Sequence, residues 1–157
     1  MTEDQNPLAL DNQLCFALYA LNRAVTARYR PLLADLSLTY PQYLVMLVLW
    51  EADARGQQAR VSEIGQRLRL DSGTLTPLLQ RLEQRGLIRR QRRSDDERVV
   101  EAILTDEGRE LRSRAGQVPL QLLCELGEEP EQILALKDQL RSMLSRLEAR
   151  GSGMPSV

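Results

Sequence analysis

Apolar residues recur at steps of three and four through the first quarter of the chain. Leu14, Leu18, Leu21, Val25, Tyr29, Leu32 and Leu36 line one face of a long helix. Pro31 is expected to bend it, because proline lacks an amide donor and crowds the preceding turn. Thr39-Tyr40-Pro41-Gln42 reads as a capping box that opens a second helix through Tyr43, Met46, Leu47 and Trp50. Residues 52–60 form a polar loop. A short helix follows, carrying Ile64 and Leu68, with Ser62 placed to accept from its free amides. Asp71 or Ser72 caps the next helix, whose buried face is Leu75, Leu78, Leu79 and Leu82 and whose end is marked by Gly86. Two strands come after it, the second spanning residues 98–104, with a tip at Ser94-Asp95-Asp96-Glu97. Thr105 caps a further helix that is interrupted near Gly116 and Pro119 and continues to about Leu126. Pro130 begins a last helix through Ile133, Leu136, Leu140, Met143, Leu144 and Leu147, and RGSGMPSV is a loose tail.

Helix, turn, helix and basic hairpin in that order describe a winged helix-turn-helix, a mainly α fold with a small β component (α+β). The helix opened at Asp71 or Ser72 would enter a DNA groove. Its polar face is Thr74, Thr76, Pro77, Gln80, Arg81 and Gln84, with Ser72 at its start, and it carries no acid. Hydroxyl, amide and guanidinium groups suit base edges and phosphates. Taken alone, that face reads better as an ordinary solvated surface, as most polar helix faces are; the hairpin beside it shifts the reading to DNA. The first strand brings Arg89, Arg90, Arg92 and Arg93. The acids at the tip are expected to shape it, with Asp96 paired to Arg98 so that an arginine is offered to a minor groove. An exposed salt-bridged turn of little energetic weight is the alternative.

Charge changes this picture only locally. The chain has a net charge of −1 and an isoelectric point near 5.6. Residues 61–105, however, hold nine arginines against seven acids, and residues 106–157 hold seven basic residues against nine acids. The basic surplus therefore sits on the proposed reading unit, where it can steer a phosphate backbone.

At 157 residues and 43% hydrophobic content the chain is long enough for one domain and its core. The terminal helices, residues 8–38 and 106–149, are too long and too apolar for the winged unit of residues 39–105 to bury. Their expected partner is a second copy in a two-fold dimer presenting two reading heads to an inverted repeat in double-stranded DNA. A monomer with these helices folded over its own core is the alternative. MTEDQNPLAL lacks the apolar run of a secretory leader, and Tyr43–Trp50 is too short to span a membrane. Two cysteines and no histidine point to a reducing cytoplasm and away from a zinc site. No glycine-rich phosphate loop and no paired catalytic constellation is present, so neither a cofactor nor an enzymatic activity is expected.

Two segments carry a family resemblance: LDNQLCFALYALNRAVTARYRPLLADLSLTYPQYLVMLVLWE and LRLDSGTLTPLLQRLEQRGLIRRQRRSDDERVVEAILTDEGREL. The chain resembles the MarR family of winged-helix regulators over residues 8 to about 148, and more narrowly the organic hydroperoxide resistance regulators. Asp96-Glu97-Arg98 with Leu104-Thr105 beyond is the pattern of the whole family; QLCFALY and LTYPQYLVM belong to the peroxide-sensing group. The resemblance implies a single MarR-type domain over residues 1–157, with residues 150–157 a flexible tail. It also implies a homodimeric repressor that leaves its operator when Cys15 is oxidised by an organic hydroperoxide. Tyr29 and Tyr40 would stabilise the Cys15 thiolate, and Cys124 would be the resolving cysteine of the two-cysteine type.

The residues bear on that implication independently. A thiol responds to peroxide only as thiolate. Cys15 lies four residues after Asp11, a candidate N-cap, so the start of the helix favours an anion there. Tyr19 is its i+4 neighbour and a third candidate donor. Tyr29 is fourteen residues on, roughly 21 Å along a straight helix, so contact with Cys15 would have to come from the other subunit. Two other readings stay open: a regulator released by a small apolar ligand, with both cysteines ordinary buried residues, and a thiol peroxidase, against which stands the lack of an arginine next to Cys15.

Overall fold

The computed structural model describes residues 6–151. The expected tail, residues 150–157, falls almost entirely outside them. The chain divides into two compact units, residues 1–118 and residues 119–157.

In the first unit, a 3-10 turn at Leu10–Asn12 leads into α1, Leu14–Ala34, with Pro31 inside its last turn. Asp11 is not the cap of α1. Its place is taken by Gln13, whose amide instead turns back to donate to the carbonyls of Pro7 at 2.6 Å and Ala9 at 3.0 Å. The 3-10 turn consumes the residues that would have let Asp11 reach the helix. Helix α2, Tyr40–Ala54, starts from the expected capping box: Thr39 N donates to Gln42 Oε1 at 3.0 Å, and Gln42 N to Thr39 Oγ1 at 3.4 Å. Gln42 is buried with its amide so used, which is what makes a polar residue tolerable there.

Within residues 52–60, expected to be a polar loop, Ala59–Arg60 forms a strand, β1. Helix α3 is Val61–Leu68. Ser62 does not cap it; Glu63 accepts from the Arg60 amide at 3.2 Å, because pairing of Arg60 in the sheet starts the helix two residues earlier, with Arg60 in the cap position. Helix α4, Ser72–Gln84, is capped by Asp71, which accepts from Thr74 N at 2.8 Å. Pro77 stands inside α4, and the half-buried or buried Leu75, Leu78, Leu79 and Leu82 face the core. Gly86 takes φ +71, a conformation that glycine adopts without a Cβ penalty. Strands β2, Ile88–Arg92, and β3, Val100–Leu104, pair antiparallel from Ile88 opposite Leu104 to Arg92 opposite Val100. With β1 they make a three-stranded antiparallel sheet ordered β1-β3-β2. The second strand is thus shorter than expected, and Arg98 lies in the loop rather than the ladder.

Helix α5, Asp106–Ala115, is capped by Thr105, which accepts from Gly108 N at 3.1 Å. The core runs through Leu33, Tyr43, Met46, Trp50, Ile64, Leu79, Leu82 and Ile88. Trp50 Nε1 donates to the Gly108 carbonyl at 2.8 Å, fixing α2 to α5. Helix α6, Val118–Leu126, bridges into the second unit, where α7 spans Pro130–Gly151. None of the described residues of α7 is buried. No helix among the described residues is long and apolar enough to cross a membrane.

Candidate nucleic-acid interface and thiol site

Helix α4 offers solvent the polar face expected of it. Ser72, Thr74, Pro77, Gln80, Arg81 and Gln84 are exposed and Thr76 is half-buried. The Thr74 amide is spent on Asp71, so its hydroxyl is what remains for a ligand. The one acid on the flank of α4, Glu83, is turned to β2: it accepts from Arg90 N at 2.8 Å, Nε at 3.1 Å and Nη2 at 2.9 Å. This pairing holds the Glu83 carboxyl below the usual carboxylate range, through the Arg90 backbone and side-chain hydrogen bonds. Arg90 therefore pins β2 to α4 and is not a loose cation.

The wing departs from expectation in detail. Asp96 does not pair with the Arg98 guanidinium. Its Oδ1 accepts from the Arg98 backbone amide at 3.1 Å, the bond favoured by a carboxylate two residues upstream. Arg93 carries the ion pair instead: its Nε donates to Asp95 Oδ1 at 2.9 Å and lies 3.8 Å from Glu101. The reason is register. Pairing ends at Arg92 opposite Val100, Arg93 N then closes the loop on the Val99 carbonyl at 2.9 Å, and the Arg93 side chain falls beside those acids. Arg92 donates to the Glu97 carbonyl at 2.8 Å, which spends a donor but no charge. Arg89 and Arg98 are exposed, and their side chains have no hydrogen-bond or ion-pair partner among the described residues.

Cys15 is the second residue of α1 and is exposed; Cys124, on α6, is exposed too. The buried-cysteine reading therefore fails for both in the single chain. The Tyr19 hydroxyl accepts from Arg23 Nη1 at 3.0 Å, and that guanidinium lies 5.6 Å from the ring centre; accepting this bond leaves the phenol its own proton to donate.

Tyr29 and Tyr40 are brought together, with ring centres 4.7 Å apart, and Tyr43 lies 5.7 Å from Tyr29. Burial, reinforced by Tyr40 and Tyr43, pushes the Tyr29 phenol up to about 12. Burial also raises the phenols of Tyr40 and Tyr43. At neutral pH all three keep the proton that a donor to an anion requires. A groove of about 650 Å³ opens beside Tyr40, lined also by Arg23, Thr26, Arg30 and Thr39. Helix α1 is continuous between Cys15 and Tyr29, which keeps them roughly 21 Å apart along one chain.

The profile of the family described as "Transcriptional regulator SarA/Rot" matches residues 27–114. The chain is 50% identical over 149 residues to the HTH-type transcriptional regulator TtmR of Methylorubrum extorquens, spanning 95% of this chain and 74% of that one. It is 45% identical over 140 residues to the organic hydroperoxide resistance transcriptional regulator of Bacillus subtilis, spanning 89% and 92%. AbfR of Staphylococcus epidermidis superposes with a TM-score of 0.74 at 34% identity, over 89% and 94% of the two chains. Reduced AbfR bound to DNA superposes at 0.71, with 33% identity over 88% and 94%. Disulfide-formed AbfR superposes at 0.58, with 34% identity over 86% and 92%.

Proposed function

Because the chain belongs to the SarA/Rot family of MarR-like winged-helix transcriptional regulators, we propose that it is a cytoplasmic, homodimeric repressor released from DNA by organic hydroperoxides. The observation that carries this reading is an exposed Cys15 at the start of α1 in a chain whose Tyr29 and Tyr40 rings form one protonated cluster. Its likeness to a regulator named for organic hydroperoxide resistance, and to a protein solved both on DNA and with a disulfide, supports it. In a dimer the Tyr29–Tyr40 cluster of one subunit faces Cys15 of the other and donates to its thiolate. The exposed apolar residues of the terminal helices, among them Leu14, Leu18, Leu21, Leu140 and Leu144, support such a partner.

The chemistry needs no cofactor. The Cys15 thiolate attacks the distal oxygen of the hydroperoxide and the O–O bond breaks. The departing alkoxide takes a proton and leaves as the alcohol, and Cys15 becomes a sulfenic acid. The Cys124 thiolate of the partner then attacks the Cys15 sulfur, a disulfide forms, and the hydroxyl leaves as water. The two-electron oxidation is supplied by the peroxide. The terminal helices shift and the two reading heads lose the spacing that an inverted repeat requires.

The test uses a DNA duplex selected by the reduced protein from a randomised pool. The parent should release it on treatment with cumene hydroperoxide, and Cys15→Ser should bind equally well and stay bound. A Cys15→Ser variant released like the parent would replace the redox reading with the small-ligand one.

A further inference from the structure

Residues 35–39 join α1 to α2, and the backbone of residues 35–37 is held by two arginines of the same unit, one at the end of the DNA-reading helix α4 and one in α5. Arg85, the C-cap of α4, donates through Nη2 to the Leu36 carbonyl at 3.1 Å and through Nη1 to the Ser37 carbonyl. Arg114, in α5, donates to the Asp35 carbonyl. These three carbonyls follow the end of α1, where the helix has no further amides to offer and its dipole favours a cation. A guanidinium suits the position because its planar fork reaches two acceptors at once.

The segment so held is strained. Ser37 has φ +50, the left-handed region that a residue with a Cβ rarely adopts. Leu36 and Leu38 anchor the turn from inside, and Leu38 N donates to the Leu33 carbonyl at 3.2 Å. The tyrosine cluster straddles this turn, with Tyr29 on α1 before it and Tyr40 the first residue of α2 after it. A cap that served α1 alone could come from any neighbour. Here it comes from 48 residues on, from the last turn of the helix offered to DNA.

We infer that Arg85 is a positioning residue that couples the Tyr29–Tyr40 cluster to the DNA-reading helix α4. When the rings change their packing, the strained turn moves, and the Arg85 fork carries the end of α4 with it. The inference rests on the redox reading only for its trigger. Coupling of this kind needs an element with two arrangements, and a left-handed serine released into the extended region supplies one.

The experiment measures affinity for the selected duplex by fluorescence anisotropy, reduced and after cumene hydroperoxide, in the parent, Arg85→Gln and Arg85→Lys. The lysine variant keeps the charge that DNA would feel and removes the fork. Both variants, reduced, should bind within about twofold of the parent. The peroxide-driven loss of affinity should shrink by at least about fivefold. Variants that keep the full peroxide-driven loss overturn the inference, as do variants whose reduced binding fails together with their folding, since Arg85 is then only structural. If the parent itself shows no peroxide-driven loss, the redox reading fails and Tyr40→Phe decides the coupling. Made with and without Arg85→Gln in the reduced protein, it should depart from additivity by more than about twofold in duplex affinity; additive effects would sink the inference.

Discussion

The basic residues of the reading unit are not equivalent, and their partners decide what each can do. Arg98 and Arg89 keep free guanidinium groups, whereas Arg90 is spent on Glu83 and Arg93 on Asp95. Arg98→Ala should therefore weaken duplex binding by about 1–3 kcal/mol and lower the salt slope by about one, with the fold intact. Arg90→Ala should leave the salt slope alone and lower the melting temperature, because it unpins β2 from α4. Equal salt slopes for the two variants would remove the distinction. The nine arginines of residues 61–105 look alike in the sequence. Their partners depend on strand register, which spacing does not reveal: Glu83 and Arg90 are seven residues apart across a turn. Spacing likewise did not reveal that the Tyr29 and Tyr40 rings meet across the turn between α1 and α2, or that the Tyr19 hydroxyl accepts from an arginine one turn away. Tyr29 also gives a pH signature. Its folded pKa is raised to about 12 from 10.0, so above pH 10 the folded state holds a proton that the unfolded state has lost. Stability should be undiminished by this group below pH 10 and fall as pH rises from there toward 12. An alkaline unfolding curve that Tyr29→Phe does not shift would rule out this contribution.

At the scale of elements, most helix boundaries followed from capping chemistry that is local in sequence. Thr39 with Gln42, Asp71 and Thr105 all cap as their spacing predicts. Asp11 failed for a local reason, the 3-10 turn at Leu10–Asn12, and the other failed boundaries needed a distant partner. β1 is two residues long and exists only because Ala59 and Arg60 pair with Ala102 and Glu101, so no periodicity could mark it. That pairing in turn displaced Ser62 from the cap of α3. The joint between the wing and α5 is likewise non-local. A Cβ on Gly108 would lie 2.1 Å from the Leu87 carbonyl and 3.1 Å from Leu104 Cδ2, and the Gly108 carbonyl accepts from Trp50. The obstacle is backbone that cannot rotate away. Gly108→Ala should cost about 3 kcal/mol or more, read as a lowered denaturant midpoint with weakened DNA binding. A neutral Gly108→Ala would mean the wing can be repositioned without loss.

At the scale of the whole molecule, the proposed dimer rests on apolar residues that one chain leaves in water. Leu136, Leu140, Leu144 and Leu147 recur along α7 at steps of three and four and are exposed, as are Leu14, Leu18 and Leu21 on α1. Single exposed leucines are ordinary, but a face of them along each terminal helix is not. The sequence pattern made this expectation legible, because helical periodicity names the apolar face whether or not its partner is present. The same proposal fixes the connectivity of the thiol chemistry. Cys15 and Cys124 are both exposed and both lie on helices assigned to the interface, so the disulfide that resolves Cys15 is expected to join two subunits. Hydroperoxide should yield a covalent dimer on a denaturing, non-reducing gel, reversed by a thiol reductant. Cys124→Ser should lose that band yet still leave DNA transiently through the sulfenic acid. Without a resolving thiol, its Cys15 should pass on to the sulfinic acid at lower peroxide concentration, which intact mass spectrometry would read. A covalent dimer that persists in Cys124→Ser would mean that Cys15 pairs with its own symmetry mate. A disulfide confined to one chain would mean that the terminal helices do not form the interface assigned to them.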